Sequence, residues 1–328
     1  MSDHSSKGAI FKAAIANIGI AIAKFIGAGL TGSAAMVAEG IHSLVDVGNQ
    51  GLILLGMSRS TRNPDAKHPL GYGKEMYFWS FLVAMLIFAI GATVSFYEGF
   101  HKLMDPSPLE HGVAAVVAGF HIYFYHIVLA ILMFGFLLEG WSMLAALDAF
   151  AIQRKSKPFF EAIRESKDPA VVVVLFEDAA ALIGLGIAFV GISLAYYFDS
   201  TAIDAITSMV IGGVLGVTSI FLAMETKGLL IGEAATEEVV AKVNAIIRSH
   251  IRDGIDNVNE VVTYHAGPDD LIVLISLDMD DSMGADDVEN LTSWIERDIK
   301  KQINIVRRVF VEAQSIQSHK KDIEAFGK

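Results

Sequence analysis

Polar groups that could bind a metal ion or carry protons interrupt one apolar segment, residues 34–57. They stand at spacings of three, four and three residues, namely Glu39, His42, Asp46 and Asn49. This spacing places all four on one stripe of a helix. An ionisable side chain at membrane depth costs about 2.5–3.5 kcal/mol on insertion scales. The stripe therefore predicts an interior face that lines a site, although His42 and Asp46 alone could equally pair to hold two helices together.

A second apolar segment, residues 170–198, carries the adjacent acids Glu177 and Asp178. Adjacent residues lie about 100° apart around a helix, so the two carboxylates share one face only in part. Asp178 is expected to complete a metal site with His42 and Asp46. Glu177 is either the fourth ligand or a group that supports the ligands. Further candidates for ligand support or for a proton path are Glu39, Asn49 and Asp204.

The predicted ligand set, one imidazole with two or three carboxylates, suits a borderline or hard divalent ion. Zn²⁺ fits it best as a tetrahedral site of nitrogen and oxygen, and Mn²⁺, Fe²⁺ and Co²⁺ remain open. Ca²⁺ and Mg²⁺ prefer more oxygen ligands and no histidine. The chain has no cysteine, which excludes thiolate ligands and disfavours copper(I) and iron–sulfur chemistry.

The composition indicates which elements must position these residues. Of the 328 residues, 53% are hydrophobic and 19% are charged, against about a quarter charged in soluble domains. Long apolar blocks fill the first two thirds of the chain, and about 20 such residues suffice to cross a bilayer. The sequence predicts six transmembrane helices over residues 10–30, 34–57, 77–100, 113–138, 170–198 and 203–223. The second, fifth and sixth contain ionisable residues, so a count by hydropathy alone could miss one of them.

Lysine and arginine are distributed unevenly among the predicted loops. They concentrate before the first span and after the second, fourth and sixth spans, whereas the alternate loops carry only Lys102. By the positive-inside rule this asymmetry requires an even number of spans and predicts that both termini are cytoplasmic. Because no targeting segment is recognisable, the predicted location is the cell membrane, inner or plasma, and an organelle is the alternative that stays open. The net charge of −12 and the lack of a basic patch argue against nucleic-acid binding.

The last hundred residues have the pattern of a small soluble domain. Apolar periodicity predicts helices over residues 237–251 and 285–302 and strands over residues 258–264, 271–279 and 305–311. The order α-β-β-α-β suggests a sheet with one face covered by two helices. The predicted domains are a six-helix transport domain (1–225), a cytoplasmic α+β domain (226–315) and a C-terminal tail (316–328).

With these features the chain resembles the cation diffusion facilitators, the family of zinc transporters. Residues 33–46 resemble the signature of the family's second span, and residues 68–74, His-Pro-Leu-Gly-Tyr-Gly-Lys, resemble its loop signature. Residues 229–235, Leu-Leu-Ile-Gly-Glu-Ala-Ala, resemble the junction before its soluble domain. The resemblance covers nearly the whole chain. It implies a polytopic α-helical membrane protein with six transmembrane helices and a small C-terminal α+β domain of ferredoxin-like or metallochaperone-like fold.

The resemblance also implies a function and a site. A homodimer would export a divalent metal ion, its transported substrate rather than a cofactor, in exchange for protons by alternating access. Two residues of the second span and two of the fifth would form a tetrahedral site, and His42, Asp46 and Asp178 match it. Many members have His or Asp where this chain has Val174, so Glu177 becomes the candidate fourth ligand, as in one branch of the family.

Rival functions make different predictions. A Mn²⁺ or Fe²⁺ exporter of the same fold would use the same site with a harder ion. An intramembrane metalloenzyme would need an added base and a water-activating open position, as on an HExxH helix, and neither is found, so the protein is not expected to be an enzyme. A metal-sensing receptor or channel would show neither proton exchange nor saturable transport.

Overall fold

The computed structural model describes residues 2–109, 112–117, 120–154 and 157–327. Met1 and Lys328, at the ends of the predicted domain ranges, lie outside the described residues. The chain divides into two compact units, one comprising Met1–Ser58 with Phe78–Lys227 and the other Arg59–Tyr77 with Gly228–Lys328.

The first unit is built of long helices. The described residues form six membrane-crossing helices. One of these spans consists of two helices, Lys74–Leu86 and Thr93–Met104, joined by the π-helical turn Ile87–Ala92. A short helix, α6 (Phe159–Glu165), lies in the loop before α7. The spans are α1 (Ser2–Thr31), α2 (Ala34–Ser60), α3 (Lys74–Leu86) with α4 (Thr93–Met104), α5 (Phe124–Arg154), α7 (Pro169–Tyr197) and α8 (Thr201–Ile231).

Length and composition alone identify four of these helices as able to cross a bilayer, namely Lys74–Met104, Phe124–Asp148, Pro169–Tyr197 and Thr201–Ile231. In α1 the apolar part with described side chains is the shorter segment Asn17–Thr31. The ionisable stripe of α2 lowers its average hydropathy. The six-span fold is confirmed. As expected, a count by hydropathy alone misses a span with ionisable residues, here α2, which carries the candidate ligands His42 and Asp46.

The predicted bounds of the fourth span are wrong. Val113–Val117 (β1) and Phe120–Tyr123 (β2) pair as an antiparallel hairpin, and α5 begins only at Phe124. Hydropathy does not distinguish a short apolar strand from a helical segment, and this run contains several β-branched valines. At its other end α5 continues to Arg154 rather than ending at Leu138. Glu139, expected at a span end, therefore lies in the interior of the helix.

Glycines allow the helices of the first unit to approach closely, as is usual in membrane bundles. A Cβ atom added at Gly212 of α8 would lie 2.8 Å from the backbone nitrogen of Phe96 and 2.9 Å from the carbonyl oxygen of Ala92. A Cβ atom at Gly184 of α7 would lie 2.8 Å from Oε1 of Glu39 on α2. Glycine at position 184 thus lets α7 lie against the polar stripe of α2.

The C-terminal part of the second unit is an α+β domain, as predicted. Its three-stranded sheet has the order β3-β4-β5, with β3 and β4 antiparallel and β4 and β5 parallel. The parallel pair needs a crossover connection, which α10 supplies. The sheet packs on α9 and α10 around Val243, Ile247, Leu271, Leu277 and Ile295. The elements are α9 (Glu237–Ser249), a 3₁₀ turn (Ile251–Asp253), β3 (Ile255–Gly267), β4 (Asp270–Met279), α10 (Ala285–Gln302), β5 (Val306–Ala313) and α11 (Ile316–Phe326).

The segment Arg59–Tyr77, which comprises the loop between α2 and α3 and the adjoining helix ends, packs in the same unit as this domain. The Arg308 guanidinium donates a hydrogen bond to the carbonyl oxygen of Pro69 at 2.6 Å. The Lys74 ammonium donates to the carbonyl oxygen of Leu230 at 3.1 Å and lies 4.7 Å from the centroid of the Tyr264 ring. The loop is therefore part of the α+β unit.

Candidate metal site

His42 and Asp46 of α2 form the centre of the candidate site. Both are buried, and Nδ1 of His42 lies 3.6 Å from Oδ1 of Asp46, which is longer than a hydrogen bond. Both ring nitrogens of His42 and Oδ1 of Asp46 have no hydrogen-bond partner within the described part of the chain. A buried polar atom left without a partner costs about 1–3 kcal/mol. A cation held between the two side chains would remove this cost.

Glu177 of α7 is oriented from α2. Nδ2 of Asn49 donates a hydrogen bond to Oε1 of Glu177 at 2.5 Å, and both residues are buried. The hydrogen bond joins the polar stripe of α2 to the acidic pair of α7. The hydrogen bond engages one of the two oxygens of Glu177, and the supporting role of Asn49 stays a prediction.

Asp178 is oriented from a third helix, α5. Oγ of Ser142 donates a hydrogen bond to Oδ2 of Asp178 at 2.8 Å. Asp46 lies within electrostatic range of Glu177, Glu139 and Asp178. The carboxylates of α2, α5 and α7 therefore share one neighbourhood.

The structure does not bring these carboxylates and His42 close enough together to form a complete ligand set. Among the described residues, no three or more His, Cys, Asp or Glu side chains lie close enough to hold one metal ion together. His42 and Asp46 face each other, whereas Glu177 and Asp178 are hydrogen-bonded to Asn49 and Ser142. The four-ligand site thus stays a prediction, and its formation requires changes in side-chain conformation.

Glu39 lies on the same stripe but forms an ion pair. The Lys24 ammonium of α1 donates to Oε2 of Glu39 at 2.9 Å and to Oγ of Ser43 at 2.8 Å. Lys24 and Glu39 are 1% and 0% exposed. The sequence allows Lys24 either to extend to the membrane surface, which it favours, or to pair with a carboxylate. The structure shows the second alternative, because Glu39 lies within its reach on the neighbouring helix.

Glu139 is a buried carboxylate, although its place just after the predicted end of the fourth span indicates a solvated position. It lies in the interior of α5, is 8% exposed and interacts electrostatically with Lys24 and Glu39. Ser142 follows it by three residues and therefore lies on the same stripe of α5. That spacing was present in the sequence, but it signals a site only once the helix is known to continue past residue 138.

Asp204 has a different environment from the other candidates. Its carboxylate accepts hydrogen bonds from Oγ of Ser33 at 2.5 Å, from the backbone N–H of Ala34 at 2.6 Å and from the Lys102 ammonium at 2.9 Å. Lys102 also donates to the carbonyl oxygen of Gly32. Asp204 satisfies a free N–H at the start of α2 and joins α2, α4 and α8 with the turn that follows α1. Its predicted part in ligand support or a proton path has no further contact to support it among the described residues.

Comparison with known proteins finds several metal transporters. The chain is 34% identical over 228 residues to the mouse (Mus musculus) "proton-coupled zinc antiporter SLC30A9, mitochondrial" and 32% identical over 228 residues to the human protein of the same name. Each match covers 69% of this chain and 38% of the relative. Metal tolerance protein C4 of Arabidopsis thaliana is 32% identical over 252 residues, which cover 76% of this chain and 52% of that protein. The chain thus spans about two fifths to one half of the length of these relatives.

These relatives contradict the predicted location. The mouse and human proteins are named as mitochondrial, so the prediction of the cell membrane, inner or plasma, is wrong. The physical reason is that apolar spans of this length fit any cellular bilayer, and the uneven loop charges report orientation rather than organelle. Placement in a membrane with several spans is supported, and six spans leave both termini on the same side.

The family comparison covers the helices described above. Residues 10–231, from α1 to the last residue of α8, match the profile of the cation efflux transmembrane domain. This range contains both halves of the candidate metal site and ends within the junction to the α+β domain. The match covers more than half of the chain, and the chain therefore belongs to the cation efflux family, the cation diffusion facilitators, which are transporters rather than enzymes.

Proposed function

We propose that this protein exports a divalent metal cation, principally Zn²⁺, across its membrane in exchange for protons. The observation that supports this most is the His42–Asp46 pair, which is buried on a membrane helix with three polar atoms that have no partner in the described chain. The naming of the mouse and human relatives as proton-coupled zinc antiporters also supports it.

Binding begins at His42 and Asp46 and is completed from α7. A ring nitrogen of His42 and a carboxylate oxygen of Asp46 take the ion first, because these atoms have no competing hydrogen bond among the described residues. Asp178 and Glu177 then rotate towards the ion, with Ser142 and Asn49 donating to their remaining oxygens. One nitrogen and three oxygens form the tetrahedral set that Zn²⁺ prefers.

Protons compete with the metal for the same lone pairs. A protonated imidazole or carboxyl group does not ligate a metal, so binding releases protons and protonation releases the metal. If the site opens alternately to the two sides of the membrane, the more acidic side receives the metal and supplies protons. The chain's own residues thus couple the two fluxes without a separate proton path.

The test is zinc transport by the full-length protein in proteoliposomes with an imposed pH gradient. Asp46→Ala and Asp178→Ala are expected to lower the initial rate at least tenfold, because each removes a charged ligand. Leu44→Ala, on the same helix but 57% exposed, is the matched control and should transport normally. Native rates in both aspartate variants would refute the site, and zinc flux that ignores the pH gradient would refute the exchange.

A second candidate is a Mn²⁺ or Fe²⁺ exporter of the same mechanism. The observation that favours it is the number of carboxylates near the single imidazole, since oxygen-rich sites suit harder ions. Competition of Mn²⁺, Fe²⁺ and Co²⁺ against Zn²⁺ in the same assay decides between the two. Saturable, proton-dependent flux also distinguishes a transporter from a receptor or channel. The homodimer that the family resemblance implies stays a prediction.

A further inference from the structure

Lys24 is a buried cation that the transport scheme does not use. Its ammonium donates to Glu39 and Ser43 of α2, and Ser43 is the residue next to His42. The side chain is 1% exposed. A lysine at membrane depth is costly and by default indicates function, so its position beside the first metal ligand needs an explanation.

The charged groups around Lys24 come from two neighbouring helices. From α2 they are Glu39, His42 and Asp46, and from α5 Glu139, each within electrostatic range of the ammonium. A Cβ atom added at Gly135 of α5 would lie 3.9 Å from Cε of Lys24, so the lysine also lies against the turn that precedes Glu139. Lys24 therefore lies at the border of the carboxylate cluster rather than at a distant helix contact.

The charge balance of the cluster gives Lys24 a specific effect. The buried carboxylates Glu39, Asp46, Glu139, Glu177 and Asp178 lie near one another with Lys24 as their cationic neighbour. Without a metal ion, the ammonium offsets part of this negative charge. With a metal ion bound, the same ammonium repels it, because both are positive and lie in a medium of low dielectric constant.

We propose that Lys24 is a tethered counter-cation that sets the affinity of the transport site for its metal ion. It stabilises the carboxylates between transport events and weakens metal binding enough for the ion to be released. A transported ion must bind well enough to enter and weakly enough to leave. This inference rests on the proposed function, and it makes Lys24 a positioning residue that does not ligate the metal and acts through the charges beside the site.

The test compares Lys24→Gln with Lys24→Arg in the full-length protein, measuring Zn²⁺ binding by calorimetry at pH 8 and turnover in proteoliposomes. Lys24→Gln keeps a hydrogen-bond donor for Glu39 but removes the charge. The Zn²⁺ dissociation constant is expected to fall about tenfold and saturated turnover to slow, because release is hindered. Lys24→Arg keeps the charge and should keep the dissociation constant near that of the wild type.

Glu39→Gln provides the opposite change. It removes the negative partner and leaves the ammonium, so zinc binding should weaken. A role in folding alone would lower the yield of both variants without moving their dissociation constants in opposite directions. If Lys24→Gln does not fold, the double variant Lys24→Gln/Glu39→Gln, which buries no unpaired charge of this pair, is compared with Glu39→Gln, and a dissociation constant no lower than that of Glu39→Gln overturns the proposal.

The control variant Asp46→Ala separates this inference from the proposed function. If the wild type binds zinc, Asp46→Ala does not, and Lys24→Gln binds as the wild type does, only the role of Lys24 is refuted. If Asp46→Ala binds zinc as tightly as the wild type, the transport site itself is refuted.

Discussion

His42 has two ring nitrogens and Asp46 one oxygen that lack partners among the described residues, and this is the clearest sign of a ligand site at the scale of single residues. Lys24 with Glu39 and Asp204 with Lys102 form buried ion pairs, and Oε1 of Glu39, Oε1 of Gln50 and the hydroxyl oxygens of Ser80 and Ser95 also lack a partner among the described residues. Protein interiors rarely leave such atoms unsatisfied. At His42 and Asp46 the atoms without a partner belong to two side chains that face each other, with Nδ1 and Oδ1 3.6 Å apart, and this distinguishes the pair from a structural ion pair.

The hydrogen bond from Asn49 to Glu177 provides a test of whether Glu177 is the fourth ligand. If Glu177 ligates the ion, Asn49→Ala should weaken zinc binding about tenfold or more, because loss of a residue that orients a ligand typically costs 10- to 100-fold in affinity. Calorimetric titration of the purified variant measures this. Ser142→Ala, which removes the partner of Asp178, is the matched comparison. A dissociation constant unchanged in Asn49→Ala alone would remove Glu177 from the ligand set.

The sequence predicted the contacts that depend on spacing along one helix. His42, Asp46 and Asn49 share a stripe because helical geometry is local and regular. The partners of Lys24 and Asp178 lie on other helices, and the periodicity of one segment carries no information about which helix packs beside it. The contacts of Glu39 and Ser142 therefore became known only with the tertiary structure.

At the scale of elements, the predictions were right about the number of spans and less accurate about their ends. In the soluble domain, α10 has the predicted bounds of residues 285–302, because its buried face of Leu291, Ile295 and Ile299 is strictly periodic. The strands run longer than predicted. Helix α11 has no buried residue, and it lies in the range that the sequence analysis assigns to a C-terminal tail.

The buried ion pair of Asp204 joins the ends of several helices, and its removal should act on stability rather than on metal binding. Asp204→Ala leaves the Lys102 ammonium buried without its carboxylate, which typically costs about 3–5 kcal/mol. The expected result is a lower thermal midpoint in detergent with an unchanged zinc dissociation constant.

Combining Asp204→Ala with Lys102→Met should recover part of the midpoint, because no unpaired charge then remains. A midpoint equal to that of the wild type in the single variant would contradict this account. A changed pH dependence of transport in the combined variant would instead revive the predicted proton path through Asp204.

At the scale of the whole molecule, the α+β unit includes the loop between α2 and α3. The backbones of Gly73 and Gly267 meet directly: a Cβ atom at Gly73 would lie 2.5 Å from the carbonyl oxygen of Ala266 and 2.9 Å from Cα of Gly267. Backbone atoms cannot rotate away as a flexible side chain can. The loop and the β3–β4 turn are thus in contact without room for a methyl group.

Gly73→Ala is therefore expected to destabilise the protein by about 1–3 kcal/mol, the usual cost of overpacking. Thermal unfolding in detergent measures the change. Gly213→Ala is the control, since a Cβ atom there would meet nothing within 4 Å. A midpoint for Gly73→Ala equal to that of the control would show that the loop can separate from the turn.

The division of the chain also has a mechanical consequence. The backbone passes between the two units at three places, after Ser58, after Tyr77 and after Lys227. A domain that is joined by one connection can rotate without displacing the segment to which it is joined. A domain that is joined by three connections transmits its rotation to all three. Any force applied to the α+β unit is therefore delivered to the ends of α2, the third span and α8. One of these three elements, α2, carries His42 and Asp46.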